Sequence, residues 1–179
     1  MVPLGTPMPE FTLPDASGQT HTAQQVCGDR GTLVIFMCNH CPFVVHIADM
    51  LGSLASRYMP QGIGVVGINS NDIEAYPQDG PEAMIEFART HDLKFPYLLD
   101  ASQEVARAFD AACTPDFFLY AQSRRLVYRG QLDDARPGSD APVSGRDLIA
   151  AMDAVLEGTP VPHEQVPSLG CNIKWKAAD

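Results

Sequence analysis

The chain reads as an α/β protein in which helices flank a central mixed sheet, and three observations carry that reading. Apolar runs at residues 33–37 and 62–69 have the length and β-branched content of buried strands. Amphipathic segments accompany them: one repeats Phe43, Ile47, Met50, Leu51, Leu54 and Tyr58, another Leu148, Ile149, Met152 and Leu156. Two short runs, 117–121 and 126–129, flank Gln122-Ser123-Arg124-Arg125 and read as a hairpin.

Taken in order, residues 1–30 form an N-terminal extension. Phe11 and Leu13 alternate there with polar neighbours, as in a short half-buried strand, and Asp15 to Gly18 suit a turn. Cys27-Gly28-Asp29-Arg30-Gly31 is a loop leading into the first buried strand. The second buried strand ends in the polar turn residues Asn69-Ser70-Asn71-Asp72, and residues 76–81 form a loop. Residues 82–91 read as a helix with Met84, Ile85, Phe87 and Ala88 inward. A short strand at 95–99 and a helix at 102–109, with Ser102 as its N-cap, follow as an inserted pair. After the hairpin come a loop at Arg136-Pro137-Gly138-Ser139 and a last helix at 145–157. Residues 158–179 form a C-terminal tail containing Pro160, Pro162 and Pro167. One domain over 1–179 is expected.

Hydrophobic content of 45% and charged content of 19% describe a globular chain. A formal net charge of -10 with no basic patch argues against nucleic acid and anionic membrane surfaces as partners. No run is long enough to span a bilayer. Met1-Val2-Pro3-Leu4-Gly5-Thr6-Pro7 lacks the basic and apolar regions of a signal peptide, so a cytoplasmic location is expected. In a reducing compartment, the 5 cysteines point to catalysis, metal binding or plain burial rather than a disulfide scaffold.

The chemistry centres on Cys38-Asn39-His40-Cys41, a C-x-x-C pair at the joint between the first buried strand and its helix. The spacing predicts Cys38 at or just before the helix start and Cys41 in its first turn. Unpaired N–H groups and the helix dipole favour a thiolate there. A free thiol titrates near ~8.5, and the dipole supplies only about 0.3–1 kcal/mol, under one pKa unit. The remainder is expected from the N–H groups of Asn39, His40 and Cys41 aimed at the Cys38 sulfur, and from His40 when charged. Cys38 is then the nucleophile and Cys41, more buried, the resolving thiol. Such a dithiol reduces, oxidises or exchanges disulfides of protein substrates, in concert with a thiol reductant or oxidant. It calls for no metal and no organic cofactor.

The order strand, C-x-x-C helix, strand, helix, strand, X-Pro, hairpin, helix resembles the thioredoxin fold. Phe11-Thr12-Leu13-Pro14-Asp15 with Gly18 resembles the opening segment of the redoxin and alkyl hydroperoxide reductase/thiol-specific antioxidant (AhpC/TSA) branch, and the inserted strand and helix match that branch too. Cys38-Asn39-His40-Cys41-Pro42, Cys113-Thr114-Pro115-Asp116-Phe117-Phe118 and Gly170-Cys171-Asn172-Ile173-Lys174-Trp175 are together similar to a group of bacterial thioredoxin-like proteins. The resemblance implies a cis Thr114-Pro115 bond facing the C-x-x-C, with the Thr114 backbone turned outward to pair with an extended substrate. A His between the cysteines resembles the strongly oxidising members, which implies a potential less reducing than thioredoxin's. Thioredoxins carry Trp where Met37 stands and a buried acid in the preceding strand. Residues 32–37 hold no acid, so the proton acceptor for Cys41 is not identifiable from the motif.

Cys113 and Cys171 are candidates for a third redox thiol, and Cys27 reads as structural. A thiol-dependent peroxidase is the alternative function. Peroxiredoxins carry Thr three residues before the peroxidatic cysteine, a slot that holds Ile35 for Cys38 and Cys38 for Cys41. His46 completes C-x2-C-x4-H, which leaves copper delivery, with His163 as a distant ligand, as a minor alternative. Helical geometry puts His46 on another face.

Overall fold

The computed structural model describes residues 2–177; Met1, Ala178 and Asp179, the ends of the expected domain, lie outside the described residues. A small antiparallel ribbon, β1 (Thr12–Pro14) with β2 (Thr20–Thr22), leads into α1 (Ala23–Val26). Thr22 and Gln25 form a reciprocal capping box, which starts this helix. β3 (Gly31–Phe36) is followed by α2 (Pro42–Tyr58), then β4 (Ile63–Asn69) and α3 (Pro81–Thr90). The inserted pair is β5 (Tyr97–Leu99) and α4 (Glu104–Ala108). β6 (Cys113–Thr114), β7 (Asp116–Ala121) and β8 (Leu126–Gly130) precede α5 (Arg146–Glu157), and β9 (Cys171–Asn172) lies in the tail.

Five strands form one mixed sheet in the order β5-β4-β3-β7-β8. β3 runs parallel to β4 and antiparallel to β7, so the thioredoxin-like arrangement expected from the sequence is present. Alternate residues of β3 serve two cores. Leu33 and Ile35, with Met37 beyond the strand, pack with Val44, Ile47 and Leu51 of α2 and Leu148 and Met152 of α5. Val34 and Phe36 face Phe11 and Leu13 of the extension, Ala106 of α4, and Ile173 of the tail. Phe109 is the centre of that second core, with Phe36, Phe118, Phe11 and Tyr120 ring centroids 5.3–6.2 Å away. The inserted strand β5 extends the sheet at its edge, while α4 and the extension cover this face. No helix among the described residues is long and apolar enough to cross a membrane.

Three local expectations are corrected. α2 starts at Pro42, with Cys41 as N-cap and Cys38 outside the helix, because Pro suits the first helical position, where its missing N–H costs nothing. On α3, Ile85 is 54% exposed, and only Met84 and Phe87 are buried. α4 is capped by Gln103 in a left-handed conformation (φ 64°) rather than by Ser102. The Gln103 side chain is drawn inward by the carbonyls of Ser70 (2.7 Å) and Lys174 (2.9 Å).

The core assignment predicts unequal costs. Phe109→Ala should lose about 3–5 kcal/mol of stability. Ile85→Ala should stay within about 0.5 kcal/mol. Urea unfolding of the two variants checks both.

Candidate dithiol site

The register of β3 on β7 builds the site. Phe36 pairs with Asp116; continued two residues, the same register sets Cys38 against Thr114, and Cys38 Sγ lies 3.6 Å from Thr114 Oγ1. Cys41 Sγ donates to the Thr114 carbonyl at 3.1 Å. The Thr114–Pro115 peptide is cis. The side chains of Cys38 and Cys41 hydrogen-bond to each other. Both are 1% exposed, so Cys41 is no more buried than Cys38.

Asp79, which the motif does not reveal, organises the loop between the cysteines. It is 0% exposed and accepts from Asn39 N–H (2.8 Å), His40 N–H (3.3 Å), His40 Nδ1 (2.5 Å) and Asn71 Nδ2 (2.8 Å). Its own carbonyl takes Asn69 Nδ2 at 2.7 Å. A buried carboxyl demands donors of this kind. Two of the three N–H groups expected on the Cys38 sulfur are therefore spent on Asp79, and only that of Cys41 reaches it. Tyr97 Oη donates to Asn39 Oδ1 at 2.9 Å, and the Tyr76 ring stacks on His40 at 5.5 Å. In sequence, Asp79 is an acid before Gly80-Pro81 at a helix start, indistinguishable from an ordinary capping residue.

Sulfur electrostatics follow from these contacts. Cys41 is held down at about 4 chiefly because it accepts the S–H of Cys38; burial opposes this, and donors from Cys171 and Thr114 add to it. Cys38 is pushed far above the ordinary thiol range by donating to Cys41, then by burial, then by the negative charge of Asp79. The helix dipole acts in the same sense, since Cys41 is the N-cap and Cys38 stands farther out. The two thiols therefore titrate as one hydrogen-bonded pair, with Cys41 lowered and Cys38 raised. Cys171 is raised to about 11 by burial and by donating to Cys41. Cys113 is raised to about 12 by burial and the neighbouring Asp116 charge, and its thiol faces the Pro115 carbonyl at 3.4 Å. Cys27 is half-buried and donates to Ala23 O at 3.1 Å, away from the other four.

The tail closes over this site. β9 pairs antiparallel with β6, setting Cys171 against Thr114 and Asn172 against Cys113. The Thr114 backbone, expected to be open to a substrate strand, is already paired, and the residue is 2% exposed. Any side chain at Gly170 would bring a Cβ to 2.1 Å from Thr114 O, so only glycine permits this approach. Farther on, Lys174 N–H donates to Asn71 Oδ1 (2.8 Å), its carbonyl accepts from Asp72 N–H (2.8 Å), and Ile173 is 3% exposed.

A sulfur of Cys38, a nitrogen of His40 and an oxygen of Asp79 lie within 4.8 Å of one another. A metal there would have to displace the His40–Asp79 bond. The His46 and His163 that copper delivery would use are outside this group: His46 is half-buried on α2 and His163 exposed in the tail.

The model of the AhpC/TSA family matches residues 4–129. The chain is 52% identical to a hypothetical protein of Sinorhizobium meliloti whose crystal structure superposes with a TM-score of 0.97, over 99% of this chain and 97% of that one. A secreted disulfide oxidoreductase of Mycobacterium tuberculosis shares the fold (TM-score 0.63, 20% identity, 80% of this chain and 95% of that one). A thiol-disulfide oxidoreductase, ResA, of Geobacillus kaustophilus is 25% identical over 66% of this chain; the match spans 63% of that relative's length.

The charge of Asp79 gives a signed prediction. In a Cys41→Ala background, which removes the side-chain hydrogen bond to Cys38, adding Asp79→Asn should lower the pH midpoint of Cys38 alkylation. One unit corresponds to roughly tenfold faster labelling at neutral pH. A mass-resolved pH–rate profile of both variants checks it.

Proposed function

Starting from a chain that belongs to the AhpC/TSA family of the thioredoxin-like superfamily, we propose that it is a thiol–disulfide oxidoreductase acting on protein disulfides or dithiols through Cys38 and Cys41. The observation that carries this is the hydrogen-bonded pair of sulfurs at the strand–helix joint, backed by Thr114 and cis Pro115. The name of the ResA relative supports the same reaction class. All five cysteines are free, and a reducing, cytoplasmic setting is part of the proposal.

In reduction of a substrate disulfide, Cys38 attacks one substrate sulfur while its proton passes to the Cys41 thiolate, with which it already shares a hydrogen bond. Cys41 is thereby the base for Cys38. The products of this step are a Cys38–substrate mixed disulfide, protonated Cys41 and a substrate thiolate. Cys41 then attacks the Cys38 sulfur, and its proton leaves with the second substrate thiol. Bonds and electrons balance: one disulfide breaks, the Cys38–Cys41 disulfide forms, and the reverse sequence oxidises a substrate dithiol. A shallow depression lined by Phe43, Pro115, Phe117 and Leu169 together with the charged Asp133 and Arg136 lies beside Pro115.

A thiol-dependent peroxidase is the second reading. The 1% exposure of both sulfurs beneath the tail favours it, since a small peroxide needs less access than a protein disulfide does.

Cys41→Ser at alkaline pH, where Cys38 ionises without its base, should accumulate a stable mixed disulfide with a protein substrate at Cys38, identified by peptide mapping. Trapping at any other cysteine would reject the roles assigned. Faster turnover of peroxide than of protein disulfides by the unmodified chain would put the second reading first.

A further inference from the structure

Cys41 has a thiol on each side. Cys38 hydrogen-bonds to it from the β3 end, and Cys171 hydrogen-bonds to it from the tail. The second contact is built by the backbone: β9 sets Cys171 against Thr114, whose carbonyl is itself the hydrogen-bond acceptor of Cys41 Sγ at 3.1 Å. The approach depends on a glycine, since a Cβ at Gly170 would lie 2.1 Å from Thr114 O and 3.0 Å from Pro115 N. The tail is held on both sides of the cysteine. Ser168 Oγ donates to Gly130 O at 2.8 Å before it, and Lys174 and Ile173 dock after it.

Exposure separates the three sulfurs. Cys38 and Cys41 are each 1% exposed, while Cys171 is half-buried and reaches the surface. A disulfide confined to the first two would be shielded from an external thiol by the very tail that carries the third. The tail strand also lies where an incoming peptide would pair with Thr114, so Cys171 holds the place of a substrate cysteine.

We infer that Cys171 is a third redox thiol, which takes over the disulfide from Cys38 by exchange at Cys41. This rests on the dithiol reading above. The Cys171 thiolate attacks Cys41 Sγ of the Cys38–Cys41 disulfide, the Cys41–Cys171 bond forms, and Cys38 leaves as a thiolate that takes up the proton lost by Cys171. One disulfide is exchanged for another, with no net oxidation. The exchange frees Cys38 for the next attack and brings the disulfide to the one sulfur that an external dithiol can reach.

The test uses the full chain, reduced and then treated with one equivalent of diamide, followed by alkylation and peptide mapping. Two populations are expected in the unmodified chain: Cys38 and Cys41 joined with Cys171 alkylated, and Cys41 and Cys171 joined with Cys38 alkylated. Cys38→Ser should give the Cys41–Cys171 bond in most molecules. Gly170→Val should lower the yield of that bond severalfold and leave the Cys38–Cys41 bond in place. In Cys171→Ser, reduction of the oxidised site by dithiothreitol should slow about tenfold. If the unmodified chain forms the Cys38–Cys41 bond but no Cys41–Cys171 bond appears in it or in Cys38→Ser, the relay is wrong and the dithiol reading stands. If the Cys38–Cys41 bond itself does not form, the dithiol reading falls and the relay falls with it.

Discussion

A fully buried carboxyl group, that of Asp79, holds the region around the dithiol in one arrangement. It lies in a short 3-10 turn and collects donors from the C-x-x-C loop and from the end of β4. Removing it would leave two backbone N–H groups, an imidazole and an amide without their acceptor in the interior. Asn71, one of those donors, also accepts from Lys174, so the same cluster anchors the tail. The loop, the strand end and the tail are thus positioned against a single group, which also sets the sign of the charge facing Cys38.

This arrangement changes how the motif works. A C-x-x-C at a helix start is ordinarily explained by N–H groups and a dipole acting on the first cysteine. Here the loop N–H groups serve Asp79, and the helix begins one residue after the second cysteine. The dipole and two thiol donors therefore converge on Cys41, and in the proposed mechanism Cys38 passes its proton across the hydrogen bond between the two sulfurs. The tail then seals the pair, which makes access, as much as thiol acidity, a determinant of what reacts.

Much of this was legible beforehand. The strands β3 and β4, the β7–β8 hairpin and the helices α2 and α5 are carried by local periodicity, the C-x-x-C is read directly from its spacing, and its X-Pro partner is implied by the family resemblance. What escaped depends on contacts that leave no local pattern. Asp79 is ordinary in its own neighbourhood and significant only because β4 and the C-x-x-C loop end beside it. Cys171 stands out in sequence as a cysteine, but its place beside Cys41 is set by the β6–β9 register between distant segments. The docked tail contains three prolines and no periodicity, and it is held by Gln103, which reads in sequence as an ordinary helix residue, and by Asn71, which reads as a turn residue.

The central claim is that Cys38 and Cys41 interconvert reversibly between dithiol and disulfide. Its most direct test is equilibration of a Cys27→Ser/Cys113→Ser/Cys171→Ser chain, which retains only these two cysteines, in glutathione buffers of graded potential, with alkylation counting the free thiols. The account predicts one reversible transition that consumes both thiols together, with the two-electron dependence of about 30 mV per tenfold change in the equilibrium constant. Loss of a single thiol to glutathione, or no transition as the buffer is varied, would contradict it.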